Sequence, residues 1–177
     1  MFGKILFIGE NIAHVQNLGS SNAAADLMNV NVIFEAPDQR ILGEITEVNP
    51  DLFKIRFLGE YIDGRYVNGV IRKPLLSSKI RIINNEELME IVGKLSDKSF
   101  LLGRGAIYKN FNVCPSINGI FSNHFAIFGN TGSGKSCGVA RIVQNLFSNP
   151  YLTSYNANVF IFDAYGEYKN AFSSINR

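Results

Sequence analysis

Gly129-Asn130-Thr131-Gly132-Ser133-Gly134-Lys135-Ser136 sets glycine, lysine and hydroxyl in the order G-x-x-x-x-G-K-S/T, the spacing of a loop that holds the phosphates of a nucleoside triphosphate. Glycines let the backbone curl until successive N–H groups point inward at phosphate oxygens, and the N-terminus of a following helix adds partial positive charge. Lys135 can then reach the β- and γ-phosphates, and the Ser136 hydroxyl can ligate Mg²⁺. The expected contacts to ATP are Gly129, Asn130, Thr131, Gly132, Ser133, Gly134, Lys135 and Ser136, together with the next residue, Cys137.

The flanks suit this chemistry. His124-Phe125-Ala126-Ile127-Phe128 is a short apolar run of the kind found in a buried strand, and Val139, Ile142, Val143, Leu146 and Phe147 recur at helical spacing. A flexible Gly/Ser linker that happened to contain Gly-Lys-Ser would not need such neighbours. Beyond Asn149-Pro150, which breaks the helix, Val159-Phe160-Ile161-Phe162 is a second apolar run, and Asp163 closes it. Ligands of open α/β sheets gather at the C-terminal ends of strands. Asp163, and Glu167 after the turn Ala164-Tyr165-Gly166, therefore fall on the phosphate side. Three readings stay open: Asp163 as an Mg²⁺ ligand through water, Glu167 as the residue orienting an attacking water, or both as capping and turn residues.

The elements ahead of this unit have a different texture. From Phe2 to about Ile83 the chain runs in short β-prone segments, Lys4-Ile8, Ala13-Leu18, Asn31-Ala36, Ile41-Val48, Leu52-Leu58, Val67-Ile71 and Ile80-Ile83. Turn formers such as Pro37-Asp38-Gln39, Asn49-Pro50-Asp51 and Asp63-Gly64 separate them. Strands of this number and length predict a small barrel, because closure removes exposed edges. The small, polar loop Gly19 to Ala25 reads as an excursion at one barrel end. Phe53, Phe57, Tyr61 and Tyr66 could form a stacking platform for single-stranded nucleic acid, with Lys54, Arg56, Arg65, Arg72 and Lys73 as a phosphate track. The alternation along Leu52 to Leu58 favours a strand with one buried face instead. Asn84 to Gly93 reads as a capped helix that closes this first unit. Lys94 to about Gly105 is a connector, in which Arg104 is either a surface residue on a turn or a guanidinium reaching phosphate.

A net charge of +2 over 177 residues is too small to argue for nucleic acid by itself. The apolar start Met1 to Ile8 is too short for a secretory signal or a membrane span, so the expected location is cytoplasmic, with no membrane partner. Cys114 and Cys137 have neither C-x-x-C spacing nor a histidine cluster, which points to reduced thiols rather than zinc or a disulfide. The predicted fold class is β + α/β, a small N-terminal β-barrel followed by the start of a P-loop NTPase (RecA-like) parallel-sheet domain. Residues 1–95 form the barrel as an assembly domain, and residues 96–177 form a linker and the first βαβ unit. The residues after Phe162 are too few for the further strands such a sheet needs. The expectation is an N-terminal piece of a longer protein, with completion by other chains as the alternative.

Two stretches resemble one family. His124 to Ser136 is similar to "H-F-x-I-x-G-x-T-G-S-G-K-S", and Asp163-Ala164-Tyr165-Gly166-Glu167-Tyr168 to "D-x-x-G-E-Y", both found behind a small N-terminal barrel in the HerA-type ATPases of the HerA/FtsK superfamily, hexameric DNA-translocating motors. The resemblance implies an ATP- and Mg²⁺-dependent ATPase in which Lys135 and Ser136 serve phosphate and metal, and Asp163 and Glu167 are carboxylates near the nucleotide. It implies a homo-oligomeric, hexameric ring acting on double-stranded DNA. It also implies a nuclease or NAD-consuming effector as partner, in DNA end processing or anti-phage defence, and places the family's main Walker B acid and arginine finger further along. An assembly or adaptor module that binds nucleotide only within a complex remains an alternative, as does a related ring motor for protein or conjugative DNA.

Overall fold

Along Leu52-Phe53-Lys54-Ile55-Arg56-Phe57 one set of alternate side chains is large and apolar and the other mostly charged, the period of a strand with one face in a core. The structure, a computed structural model that describes residues 1–19, 25–151 and 159–173, buries Phe53, Ile55 and Phe57 and leaves Arg56 exposed. Contacts divide the chain into two units, Met1–Ile91 and Val92–Arg177.

In the first unit the strands are β1 (Phe2–Ile8), β2 (Ile12–Asn17), β3 (Asn31–Ala36), β4 (Gln39–Val48), β5 (Leu52–Ile62), β6 (Arg65–Asn68) and β7 (Lys79–Ile82). They form one sheet in the order β1-β2-β5-β4-β3-β7, with β6 also on β5, and every pairing is antiparallel. Six of the seven predicted strands are present to within a few residues; the one expected at Val67–Ile71 falls instead at Arg65–Asn68. The register sets Val15 opposite Phe53, Ile45 opposite Ile55 and Phe34 opposite Ile41, so the apolar side chains share the inner face. Register shifts along β4 and β5 bend the sheet over this core. The outcome is a curled half-barrel, because β1 and β7 do not pair among the described residues. Two more register shifts make β1 an irregular edge, with Ile5 buried while Leu6 and Phe7 face out. Residues 20–24 of the polar loop expected at the barrel end lie outside the described residues.

The same burial removes the stacking platform. Phe53 and Phe57 are core residues, Phe57 lying edge-on to Phe34. Lys54 is paired with Glu47, Arg56 with Glu44, and Arg72 with Asp38, so three cations of the would-be phosphate track already have anionic partners.

The first helix, α1 (Asn85–Val92), is fixed at its start by reciprocal bonds. The Asn84 Oδ1 accepts from the Glu87 amide at 2.8 Å, and the Glu87 carboxylate accepts from the Asn84 amide at 3.1 Å, a capping box. Glu87 also accepts from both terminal nitrogens of Arg81 on β7, at 2.7 and 2.8 Å, and Arg81 reaches Glu35 on β3. A side chain that begins the helix thus ties it to the sheet. The Arg81 guanidinium, foremost through these hydrogen bonds, holds the Glu87 carboxyl below the usual carboxylate range. Gly93, at φ 77°, ends the helix where a Cβ would run into the Cys114 carbonyl.

The second unit holds a two-stranded ribbon of β8 (Gly103–Arg104) and β9 (Asn112–Val113), then α2 (Ile117–Phe121) and α3 (Lys135–Phe147). Among its described residues, Phe100, Cys114 and Leu146 are the buried apolar side chains. The runs at 124–128 and 159–162, expected as parallel strands, make no strand pairing among the described residues. Phe128, Phe160 and Phe162 are 91%, 82% and 97% exposed. A parallel strand depends on neighbours for its hydrogen bonds and on helices for its faces; among the described residues these segments have no strand partner, and Phe125 meets Phe121 of α2 edge-on. No helix among the described residues is long and apolar enough to cross a membrane.

Glu87→Ala should lower the stability of the half-barrel by about 2 kcal/mol, since it strips a cap and leaves the partly buried Arg81 guanidinium with Glu35 as its remaining carboxylate partner. A carboxylate whose folded pKa is depressed stabilises above its unfolded pKa and loses that contribution as pH falls through the folded value. Opening free energies from amide exchange of Val32, Ile33 and Phe34 should therefore drop below about pH 4.5 in the wild type, and drop less steeply in Glu87→Gln.

Candidate functional site

Glycine at 134 has a conformational reason. It sits at φ 86°, ψ 15°, left-handed, at the N-cap of α3, and Gly132 has φ 81°. L-residues with a Cβ rarely adopt this conformation. The turn carries the chain from a flat loop directly into a helix, and no side chain caps the first turn of α3. Its free N–H groups and helix dipole suit an anion. By contrast, α2 is capped by Ser116, whose hydroxyl accepts from the Gly119 amide.

The loop opens on a cleft of about 680 Å³. Thr131, Gly132, Gly134, Lys135, Ser136 and Cys137 line one side, and Tyr165 and Glu167 the other. Of the residues expected at the nucleotide, Gly129, Asn130, Ser133 and Asp163 do not line this cleft. Gly129 and Asn130 shape the loop from beneath. A Cβ at 129 would collide with the Ser133 hydroxyl, and the Asn130 carbonyl accepts from the Ser133 amide at 3.1 Å and from the Lys135 ammonium at 2.9 Å. Cys137 is exposed and Cys114 buried, and both are free thiols. Arg104 is not among the lining residues.

The Ser136 hydroxyl donates to the Glu167 carboxylate, bringing together two residues 31 positions apart. Asp163 makes this meeting possible. Its Oδ1 accepts from the Glu167 amide at 3.1 Å and its Oδ2 from the Tyr168 amide at 2.9 Å, which closes residues 163–168 into a tight turn with Gly166 at φ 71°. These bonds, the one from Tyr168 foremost, hold the Asp163 carboxyl below the usual carboxylate range. Asp163 is thus a turn-forming residue in this structure, while Glu167 faces the loop.

Side-chain amides seat α3 in the unit. Asn145 donates to the Leu101 carbonyl at 2.8 Å, and Asn149 to the Ser96 and Ser99 carbonyls at 2.9 and 2.7 Å, fastening the connector along the helix. Gln144 donates to the Ala171 carbonyl at 2.7 Å. Neither Gln144 nor Tyr165 stands out in the sequence as a site residue. The signal available for Gln144 was an amide pair, Gln144-Asn145, set inside an apolar helical run.

The loop, the helix dipole and Lys135 supply positive potential for phosphates, and the Ser136 and Glu167 oxygens are hard donors suited to Mg²⁺. The residues therefore fit a metal-bound nucleoside triphosphate. Residues 92–176 match the family model described as "Helicase HerA, central domain". No curated protein matches the chain.

Asp163→Ala should release the 163–168 turn. Amide exchange at Glu167 and Tyr168 is expected to rise about five- to tenfold, as each loses its acceptor. In the wild type the same amides should be best protected above about pH 4 and lose protection as pH falls through the depressed Asp163 pKa. Exchange measured from pH 3 to 6 checks both.

Proposed function

We propose, from the premise that residues 92–176 carry a HerA-type ATPase domain, that this chain binds and hydrolyses ATP as a subunit of a ring-shaped motor that moves along double-stranded DNA. The observation that carries the reading is the Ser136–Glu167 contact across the loop cleft, which puts a metal-binding hydroxyl and an acid together at an uncapped helix N-terminus. Mg²⁺, held by Ser136 with a carboxylate reaching it through water, would supply charge neutralisation at the β- and γ-phosphate oxygens.

The chain's own residues have these roles. Lys135 leaves the Asn130 carbonyl and donates to phosphate, exchanging a neutral acceptor for an anionic one. Amides of the loop and of the first turn of α3 hold the remaining phosphate oxygens without reorganising, because the left-handed glycines already aim them. Ser136 gives up Glu167, and the freed carboxylate can accept from the attacking water and orient it. Asp163 keeps the turn that presents Glu167; each of its oxygens retains a lone pair able to accept from a metal-bound water. The half-barrel takes the assembly role, and the partner is a nuclease or an NAD-consuming effector in DNA end processing or anti-phage defence.

A second reading, an assembly or adaptor module that binds nucleotide only within a complex, draws on the exposed Phe128, Phe160 and Phe162. Apolar surface of this kind marks a face made to be covered. ATP·Mg²⁺ at about a hundredfold excess over its dissociation constant stabilises a binding protein by about 2.7 kcal/mol. A thermal shift of that size in the isolated chain favours the motor reading, and no shift favours the adaptor.

Lys135→Ala in the complete protein should reduce ATPase activity at least about a thousandfold, given the size of losses at charge-stabilising groups, and should leave circular dichroism of the half-barrel unchanged. Duplex DNA should stimulate the wild-type ATPase. Hydrolysis surviving Lys135→Ala sinks the ATPase assignment, and an ATPase indifferent to DNA favours a ring motor for another cargo.

A further inference from the structure

We infer that Gln144 is a positioning residue for Glu167: its side-chain amide, by holding the Ala171 carbonyl, fixes the segment 163–173 on α3 and so sets where the Glu167 carboxylate stands in the cleft. The inference rests on the proposed ATPase reading for its kinetic consequence and on geometry alone for the tether.

Gln144 lies nine residues beyond Lys135, about 13 Å along the helix at 1.5 Å per residue, and is not among the residues that line the cleft. It acts at a distance through a short hydrogen-bonded series. Gln144 Nε2 donates to the Ala171 carbonyl at 2.7 Å, and the Ala171 amide donates to the Tyr168 carbonyl at 3.0 Å. The Tyr168 amide donates to Asp163 Oδ2 at 2.9 Å, and Asp163 Oδ1 accepts from Glu167 at 3.1 Å. The rings of Tyr168 and Phe172 stack at 6.1 Å with planes 10° apart, which stiffens the same turn.

The segment therefore touches α3 at two heights, Glu167 on Ser136 in the first turn and Ala171 on Gln144 in the third. The two attachments differ in what chemistry does to them. Ser136 must surrender Glu167 when its hydroxyl turns to metal, whereas the Gln144–Ala171 bond involves no group that meets nucleotide. The upper tether thus keeps the carboxylate near the loop at the moment the lower one opens. Without it, Glu167 would remain covalently in place on a turn free to drift, and a drift of about 1 Å at a water-orienting carboxylate is enough for a hundredfold loss.

The test uses the complete protein with Gln144→Glu, which keeps length but turns the donor into an acceptor, and Gln144→Lys, which restores a donor. Gln144→Glu should lower kcat for ATP about 10- to 100-fold while KM for Mg·ATP stays within about twofold, and Gln144→Lys should recover most of the loss. In a Glu167→Ala background Gln144→Glu should cost nothing more, since a residue acting through Glu167 has nothing left to position. In nucleotide-free protein, amide exchange over residues 164–172 should rise in Gln144→Glu and stay unchanged over α3 and the half-barrel. Wild-type kcat in Gln144→Glu, an equal loss in the Glu167→Ala background, or exchange rising across α3 as well would each overturn the assignment. A wild-type protein without ATPase activity would sink the functional reading, and the nucleotide-free exchange would still decide the tether.

Discussion

The first turn of α3 has no side-chain cap, and the second unit is organised around that open end. An uncapped helix start is a cost, because N–H groups at the terminus lack partners that a Ser or Asn could supply. The same chain supplies such caps elsewhere, Asn84 for α1 and Ser116 for α2. Replacing a cap by a left-handed glycine gives up local stability and keeps the dipole end clear. The helix must then be held by other means, and the amides of Asn145 and Asn149 do this by fastening its far half to the connector. Stability is concentrated at one end of the helix so that the other can remain open.

The first unit solves a different problem with related chemistry. A half-barrel with unpaired edges has limited core, and α1 must be docked by something stronger than its short apolar stripe. Glu87 caps the helix and meets Arg81 in the same stroke, so the cost of burying its charge is offset by two guanidinium bonds and a backbone amide. Because Arg81 also reaches Glu35 on β3, helix, edge strand and inner strand share one network.

What the sequence made legible follows from the range of each interaction. Most strands of the first unit were readable because alternation and turn residues are local, and the glycine turn ahead of α3 because Gly132 and Gly134 answer a backbone demand within a few residues. Glu167 stands near the loop although the run 159–162, whose strand end was to place it, makes no strand pairing among the described residues, and its bond to Ser136 spans 31 positions and has no local signature. For Gln144 the sequence offers no more than an amide inside an apolar helical run, and for Asn149 no more than a helix breaker, since their acceptors lie 27 and about 50 residues away. The runs at 124–128 and 159–162 show the limit from the other side. Their composition is that of buried strands, but strand pairing is a property of neighbours, and Phe160 and Phe162 remain exposed among the described residues.

On the proposed ATPase reading, the resting contacts of the cleft bear on how the site would respond to nucleotide with and without metal. Lys135 and Ser136 are not idle: one donates to Asn130, the other to Glu167. Entry of a triphosphate therefore exchanges hydrogen bonds rather than adding them, and the gain lies in their difference. For Lys135 the exchange is favourable, from a neutral carbonyl to a charged oxygen. For Glu167 it is not, because a carboxylate left beside phosphate oxygens meets like charge. A divalent cation held at Ser136 and Glu167 would restore the balance, so on the proposed reading the acid assigned to orient water would also make metal-free nucleotide a poor fit. If the site is the ATPase site proposed above, a pair that satisfies itself at rest would tie occupancy of the loop to the charge state that hydrolysis requires.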